Sequence, residues 1–157
     1  MLSKYKFGWL VKLAILLCIG GLMYCGIELL YRGHTHWTMF IVGGLAFIEV
    51  GLINEIFPWD MYFEQQVLIG DILVTFTEFI AGYILNIKLG LGIWDYSNLP
   101  FNVMGQICLL FMFLWAFLVA FAIWLDDHLR FVLFKEEVLG YTFWIAEKFK
   151  ERFKKKE

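Results

Sequence analysis

Apolar residues in this chain fall into four long runs separated by short polar breaks. The runs cover about residues 9–31, 37–57, 66–87 and 102–125. Each is long enough to cross a hydrocarbon core ~30 Å thick, which takes ~20 helical residues. Lipid offers the backbone no partners, so spanning segments must be helices or closed barrels. No alternation of the strand type occurs, and the pattern predicts four membrane-spanning helices. The second run meets Pro58, where a helix should stop. Beyond the fourth run the pattern changes. Val138, Tyr141, Ile145, Phe149 and Phe153 recur at helical spacing among charged residues. That predicts an amphipathic helix lying on the membrane surface and ending in Lys154, Lys155 and Lys156. The expected architecture is an all-α membrane protein. Residues 1–127 form a four-helix transmembrane bundle, and residues 128–157 form a basic cytoplasmic tail.

Composition sharpens the class. Of 157 residues, 61% are hydrophobic, 20% aromatic and only 18% charged. A soluble domain is nearer ~25% charged. A soluble enzyme, a disordered chain and a nucleic-acid binder are therefore excluded. The net charge of −2 says little, but its distribution says more. Lys4, Lys6 and Lys12 open the chain, and Arg130, Lys135 and a run from Lys148 onward close it. Only Arg32 and Lys88 lie between. By the positive-inside rule both termini face the cytoplasm. The 32–36 and 88–101 loops are then outside, and the 58–65 loop is inside. Trp9, Trp37, Trp59, Trp94 and Trp124 fall near span ends, where interfacial anchors are expected. The basic, apolar start resembles a signal peptide but lacks a small-residue cleavage site, so an uncleaved first helix is expected. Cys18, Cys25 and Cys108 lie in apolar runs without a CxxC pair. They are expected to be packing residues.

Charge inside the spans carries the chemistry. An ionised group at mid-helix costs ~2.5–3.5 kcal/mol on insertion scales. Asp71, Thr75, Glu78, Gly82 and Asn86 are spaced four, three, four and four apart, which puts them on one helix face turned into the bundle. Cys18, Gly21, Cys25, Glu28 and Arg32 form a similar seam in the first helix. Glu28 and Arg32 are placed for an i,i+4 pair. The topology gathers Glu28, Arg32, Glu78, Asn86, Asp95, Asn98, Asn102 and Gln106 in the outer half, as an expected polar pocket. It gathers Asn54, Glu55, Asp60, Glu64 and Asp71 in the inner half, where Asn54, Glu55 and Asp71 form an expected inner acidic group. Glu49 faces away from both and is expected to pair with another subunit or sit protonated. His34 and His36 lack a further ligand on their side, so they are expected to be polar rim residues rather than a metal site. His128 is read as an interfacial polar residue. In the last loop, Asp95 or Ser97 is expected to bond backbone amides, and Asn102 to cap the fourth helix. The loop is either a tight turn or a short re-entrant segment lining the pocket.

The run WDYSNLPFNVMGQICLLFMFLW (94–115) resembles the signature of the family described as "putative ABC-transporter type IV", the CmpB-like bacterial membrane proteins. YRG (31–33), HWTMFIVGG (36–44), GLINE (51–55), VTFTEFIAGYILN (74–86) and AIWLDDHLR (122–130) also resemble it. The resemblance covers roughly residues 28–137. It implies a polytopic plasma-membrane protein acting as a permease-like component, with substrate unassigned. No GxxxxGK[ST] phosphate loop is present, so ATP would require a separate ATPase subunit. No cofactor-binding or catalytic motif occurs. The expected partners are the lipid bilayer and either a second copy or that ATPase. The alternative is a non-transporting scaffold or regulatory subunit. An intramembrane enzyme using paired acids, Glu78 with Asp95 or Asp71, is the third reading.

Overall fold

The computed structural model describes residues 6–57, 61–137 and 140–148. Pro58, Trp59, Asp60, Val138, Phe149, Phe153 and the terminal lysines lie outside the described residues, as does Lys4. Helix α1 spans Lys6–Arg32, α2 Trp37–Gly51, α3 Ile53–Ile56, α4 Phe63–Gly82 and α5 Leu109–Phe134. A π-helical segment, Tyr83–Lys88, continues α4. Two short antiparallel strands, β1 (Asn102–Val103) and β2 (Ile107–Cys108), pair ahead of α5 with Val103 opposite Ile107. Among the described residues, four helical stretches are long and apolar enough to cross a membrane: Gly8–Arg32, Trp37–Ile56, Phe63–Lys88 and Leu109–Phe134.

Short links set the layout. Gly33 closes α1 at φ +74°, its amide bonded to Leu29 O. His36 then caps α2, with Nδ1 accepting from the Thr38 amide and lying 2.8 Å from Thr38 Oγ1. Thus α1 and α4 run one way, and α2 and α5 return. The "Arg32 end" holds the 33–36 and 89–108 links. The "Lys12 end" holds the α3–α4 link and the segment after α5.

Small residues decide how closely the helices approach. Gly20 and Gly21 of α1 face Phe47 and Phe40, while Gly43 and Gly44 of α2 face Tyr24 and Leu17. A Cβ on Gly44 would lie 2.6 Å from the Leu17 carbonyl oxygen. Paired small residues of this kind let two backbones touch where lipid gives no hydrophobic drive for helix association. Of the expected α1 seam, Gly21 takes part, but Cys18 faces outward. The apolar core is Val50, Val74, Val119 and Ile123, with Gly70 admitting Val119. Outward faces carry Leu22, Leu30, Leu68, Phe76, Phe113 and Phe117, which suits a lipid surround.

Three expectations change here. First, α5 starts at Leu109 rather than Asn102 and runs to Phe134, through the boundary expected at 127/128. Asn102 does not cap it. Its side chain donates to Leu99 O and accepts from the Gly105 amide, while Met104 (φ 55°) and Gly105 (φ 70°) take left-handed backbone that no helix start permits. Second, the described residues after α5 do not form one continuous helix. Lys135 (φ 59°) ends α5, residues 140–143 are non-helical, and 144–148 form a helical turn. Tyr141 and Phe143 pack on Phe63 at 4.9 and 5.4 Å, and the Phe63 amide donates to Thr142 O. Third, Trp94 is buried rather than interfacial, its indole donating to Gln106 O at 2.9 Å.

Candidate functional site

At the Arg32 end, α1 finishes with a buried acid one turn before a base. Arg32 Nη2 donates to Glu28 Oε1 at 2.6 Å, and Thr35 Oγ1 donates to Glu28 Oε2 at 2.5 Å. Arg32 Nη1 reaches across to Ile93 O at 2.6 Å, tying α1 to the 89–108 link. The i,i+4 pairing expected from spacing is thus formed, and Thr35 completes it.

The pair stands at the rim of a cavity of about 460 Å³ between α1 and α5. Tyr24, Ile27 and Tyr31 form one wall. Phe111, Leu114, Trp115, Phe117 and Leu118 form the other, and Trp94 and Tyr96 come from the link. Two ring contacts bridge the walls, Tyr24 with Trp115 (5.9 Å) and Tyr31 with Phe111 (6.5 Å). The lining is almost wholly apolar, unlike the polar pocket expected. Of the eight residues expected there, only Glu28 and Arg32 line this cavity.

Glu78 sits behind the aromatic wall. It is buried near the C-terminal end of α4, and its two oxygens accept from Tyr96 Oη (3.1 Å) and Trp115 Nε1 (2.7 Å). Burial and the Glu78 carboxylate push the Tyr96 hydroxyl well above its ordinary range, so it stays a donor. Tyr96 also stacks on Phe111 at 4.3 Å, which fixes its direction. Sequence reasoning found Glu78 but missed Tyr96 and Trp115, because neither a tyrosine in a polar turn nor a tryptophan in an apolar helix carries a signal of its own.

The amides act as stitching. Asn86, placed by the wide π turn, donates to Gln106 Oε1 (2.8 Å) and accepts from the Ile93 amide (2.7 Å). Gln106 also packs on Gly82, where a Cβ would lie 2.5 Å from its Oε1. Asp95 is fully exposed and holds the turn by accepting from the Ser97 hydroxyl and amide. Those bonds keep its carboxyl below the usual carboxylate range. Asn98 is exposed on the same turn. Asp95, Asn98 and Asn102 therefore shape the link rather than the cavity. His34 is exposed, and among the described residues no group of three His, Cys, Asp or Glu is placed to hold a metal.

The Lys12 end holds an ionic network richer than expected. Asp126 is 0% exposed and accepts from Arg130 Nε at 2.6 Å. Arg130 Nη1 donates to Glu55 Oε1 at 3.0 Å and lies 3.5 Å from Glu136 Oε2. Asp127 accepts from Asn54 Nδ2 (3.0 Å) and Tyr141 Oη (2.5 Å). Glu136 pairs with Lys12 of α1. Asn54 and Glu55 thus both hold α5, Asn54 through Asp127 and Glu55 through the Asp126–Arg130 pair that sequence reasoning passed over. Their four-residue spacing inside an apolar helix was the available signal. Asp71 is elsewhere, on α4. Its Oδ1 has no partner among the described residues, and the same holds for Thr75 Oγ1 and Gln66 Oε1 on that helix. Glu49, expected to pair with another subunit or sit protonated, accepts from Thr77 Oγ1 of α4 at 2.8 Å on both oxygens. His128 stacks on Trp124.

No curated protein and no solved structure matches the chain. The profile of the family described as "Putative ABC-transporter type IV" matches residues 7–146, which takes in α1 and the segment after α5 that the sequence resemblance left out. With four membrane-length helices among the described residues and a family match over most of its length, the chain belongs to that family.

Proposed function

We propose that this chain is a permease-like component of a bacterial plasma-membrane transporter. It lies in the bilayer with both termini in the cytoplasm and works with a separate ATPase subunit. It is not itself an enzyme. The observation that carries this reading is Glu78. A carboxyl at mid-span is expensive in lipid, ~2.5–3.5 kcal/mol if ionised, and this one is held, among the described residues, by a phenol and an indole. On one side of that wall is the α1–α5 cavity. On the other, α4 carries the unpartnered Thr75, Asp71 and Gln66 oxygens toward the Lys12 end. Unpartnered buried polar atoms call for water or a passing solute. Glu78 is then the polar step between an outer cavity and an inner file.

The test is proton flux into proteoliposomes carrying pyranine, driven by a potassium diffusion potential. Glu78→Gln should abolish the flux, while Glu49→Gln, whose carboxyl is satisfied by Thr77, should retain it. Equal flux in wild type and Glu78→Gln would remove Glu78 from the path.

A scaffold role is the second reading. It is favoured by the fact that Asn86, Asn102 and Gln106 are consumed in bonds that knit the 89–108 link. It predicts a partner that co-purifies with the full chain and is lost on deleting residues 138–157, with no flux in any variant.

A further inference from the structure

The α1–α5 cavity has the wrong lining for a polar solute and the right one for a hydrocarbon chain. We propose that it is a binding site for a single-chain anionic amphiphile, with the chain inside the cavity and the head at Arg32. The proposal gives a ligand class to the cavity of the transport reading, but it does not use Glu78 and stands or falls separately.

Volume sets the first limit. At about 460 Å³ the cavity is within the ~300–1,000 Å³ of small-molecule sites. Space of that size admits an acyl chain. Access sets the second. Ile27, Leu114 and Phe117 line the cavity and are also exposed on the flanks of α1 and α5. The opening therefore lies on the side of the bundle, where a chain can enter from the bilayer without meeting water. Chemistry sets the third. Ile27, Leu114, Phe117 and Leu118 with the faces of Tyr24 and Trp115 offer dispersion contacts but no array of donors. The charged groups of the lining, Glu28 and Arg32, stand together at the last turn of α1, where a head group would sit. Arg32 uses one N–H on Glu28 and one on Ile93 O. The guanidinium carries further N–H donors, and its side chain is 19% exposed, so a carboxylate or phosphate oxygen can be received there.

The test is a scintillation proximity assay with tritiated palmitate on the purified full chain in mild detergent. Saturable binding near one palmitate per chain is expected. Leu118→Trp, which fills the cavity, should abolish it, and Leu114→Trp at the rim repeats the test should the first variant fail to fold. Arg32→Gln should weaken palmitate about tenfold, the size of one lost charged hydrogen bond, and leave hexadecanol unchanged. A phosphate-headed single chain, lysophosphatidic acid, should compete, whereas two-chain phosphatidic acid should not. Non-saturable binding, equal binding by a folded tryptophan variant, or equal competition by the two-chain lipid would overturn the proposal. Palmitate binding that survives in a Glu78→Gln chain without proton flux would uphold it independently of the transport path.

Discussion

Replacing Arg130 by methionine should be the most damaging single change at the Lys12 end. Methionine keeps the apolar stem of the side chain but leaves Asp126, which is 0% exposed, with a carboxylate and no counter-ion. Breaking a buried pair from one side costs ~3–5 kcal/mol. Asp126 has no room to escape, because its carboxylate presses on Gly51, where a Cβ would lie 2.5 Å away. The Glu55 contact adds little, because Glu55 is 49% exposed and exposed pairs are worth ~0–1 kcal/mol. Asp126→Asn should cost less, ~1–3 kcal/mol, since Arg130 keeps Glu55 and Glu136. The double variant removes the unpaired charge, so it should be no worse than Asp126→Asn and should show a coupling energy above ~1 kcal/mol. Equilibrium unfolding in mixed micelles, by titrating SDS against a mild detergent, reads all four corners. If Arg130→Met costs no more than Glu55→Gln, or if the two changes simply add, the pair does not hold this end of the bundle.

Gly44→Ala puts a methyl into the Leu17 carbonyl and should destabilise the α1–α2 contact by ~1–3 kcal/mol in the same titration, whereas Gly26→Ala, which meets nothing, should be neutral. Gly105→Ala should loosen the link ahead of α5, because the site has φ +70° and its Cβ would strike Asp95 Oδ1 at 2.6 Å; faster hydrogen exchange at the Tyr96 amide, which donates to Gly105 O, would report it. Burial and the hydrogen bond to Asp127 raise the Tyr141 hydroxyl above its ordinary value near 10. A raised folded value means that its contribution is full below pH ~10 and is lost as pH climbs above it, so a spectrophotometric titration should show a tyrosine still protonated when the exposed ones have ionised. Tyr141→Phe should abolish that late titration.

The spans were legible because lipid imposes length and apolarity on every residue of a segment, and Trp37 and Lys88 mark boundaries that the helices keep to within a residue. The Glu28–Arg32 pair was legible for a local reason, since i,i+4 spacing fixes proximity within one helix. What was illegible depends on contacts between helices. Nothing in the neighbourhood of Tyr96 or Trp115 along the chain reveals that both point at Glu78. Asn102 looked like a helix cap because its type and place after Pro100 fit one. Its side chain instead bridges Leu99 and Gly105, and the left-handed backbone at Met104 and Gly105 delays α5 by two turns. The segment after α5 has helical periodicity in Tyr141 and Ile145. A tertiary hydrogen bond to Asp127 and stacking on Phe63 prevail over it at residues 140–143. The apolar character of the cavity was missed for a related reason. Depth along a span does not fix which space a polar side chain enters, and Asn86, Gln106 and Asn102 turn toward the backbone of the link.

The network at the Lys12 end also imposes an order on assembly. Asn54 and Glu55 are synthesised about 70 residues before their partners Asp127 and Arg130. Tyr141, which completes Asp127, arrives later still. A ribosome delivers the chain from its N-terminus, so α5 must enter the bilayer with two acids and one base while its last acceptor bonds are unmade. Asp126 and Arg130, one turn apart, can neutralise each other within the helix before it docks. Asp127 has no such partner in α5 and is satisfied only when the helix docks on the α3 amide of Asn54 and Tyr141 follows. The chain is therefore built so that the acid left unpaired while α5 inserts is settled by the segment that follows that helix.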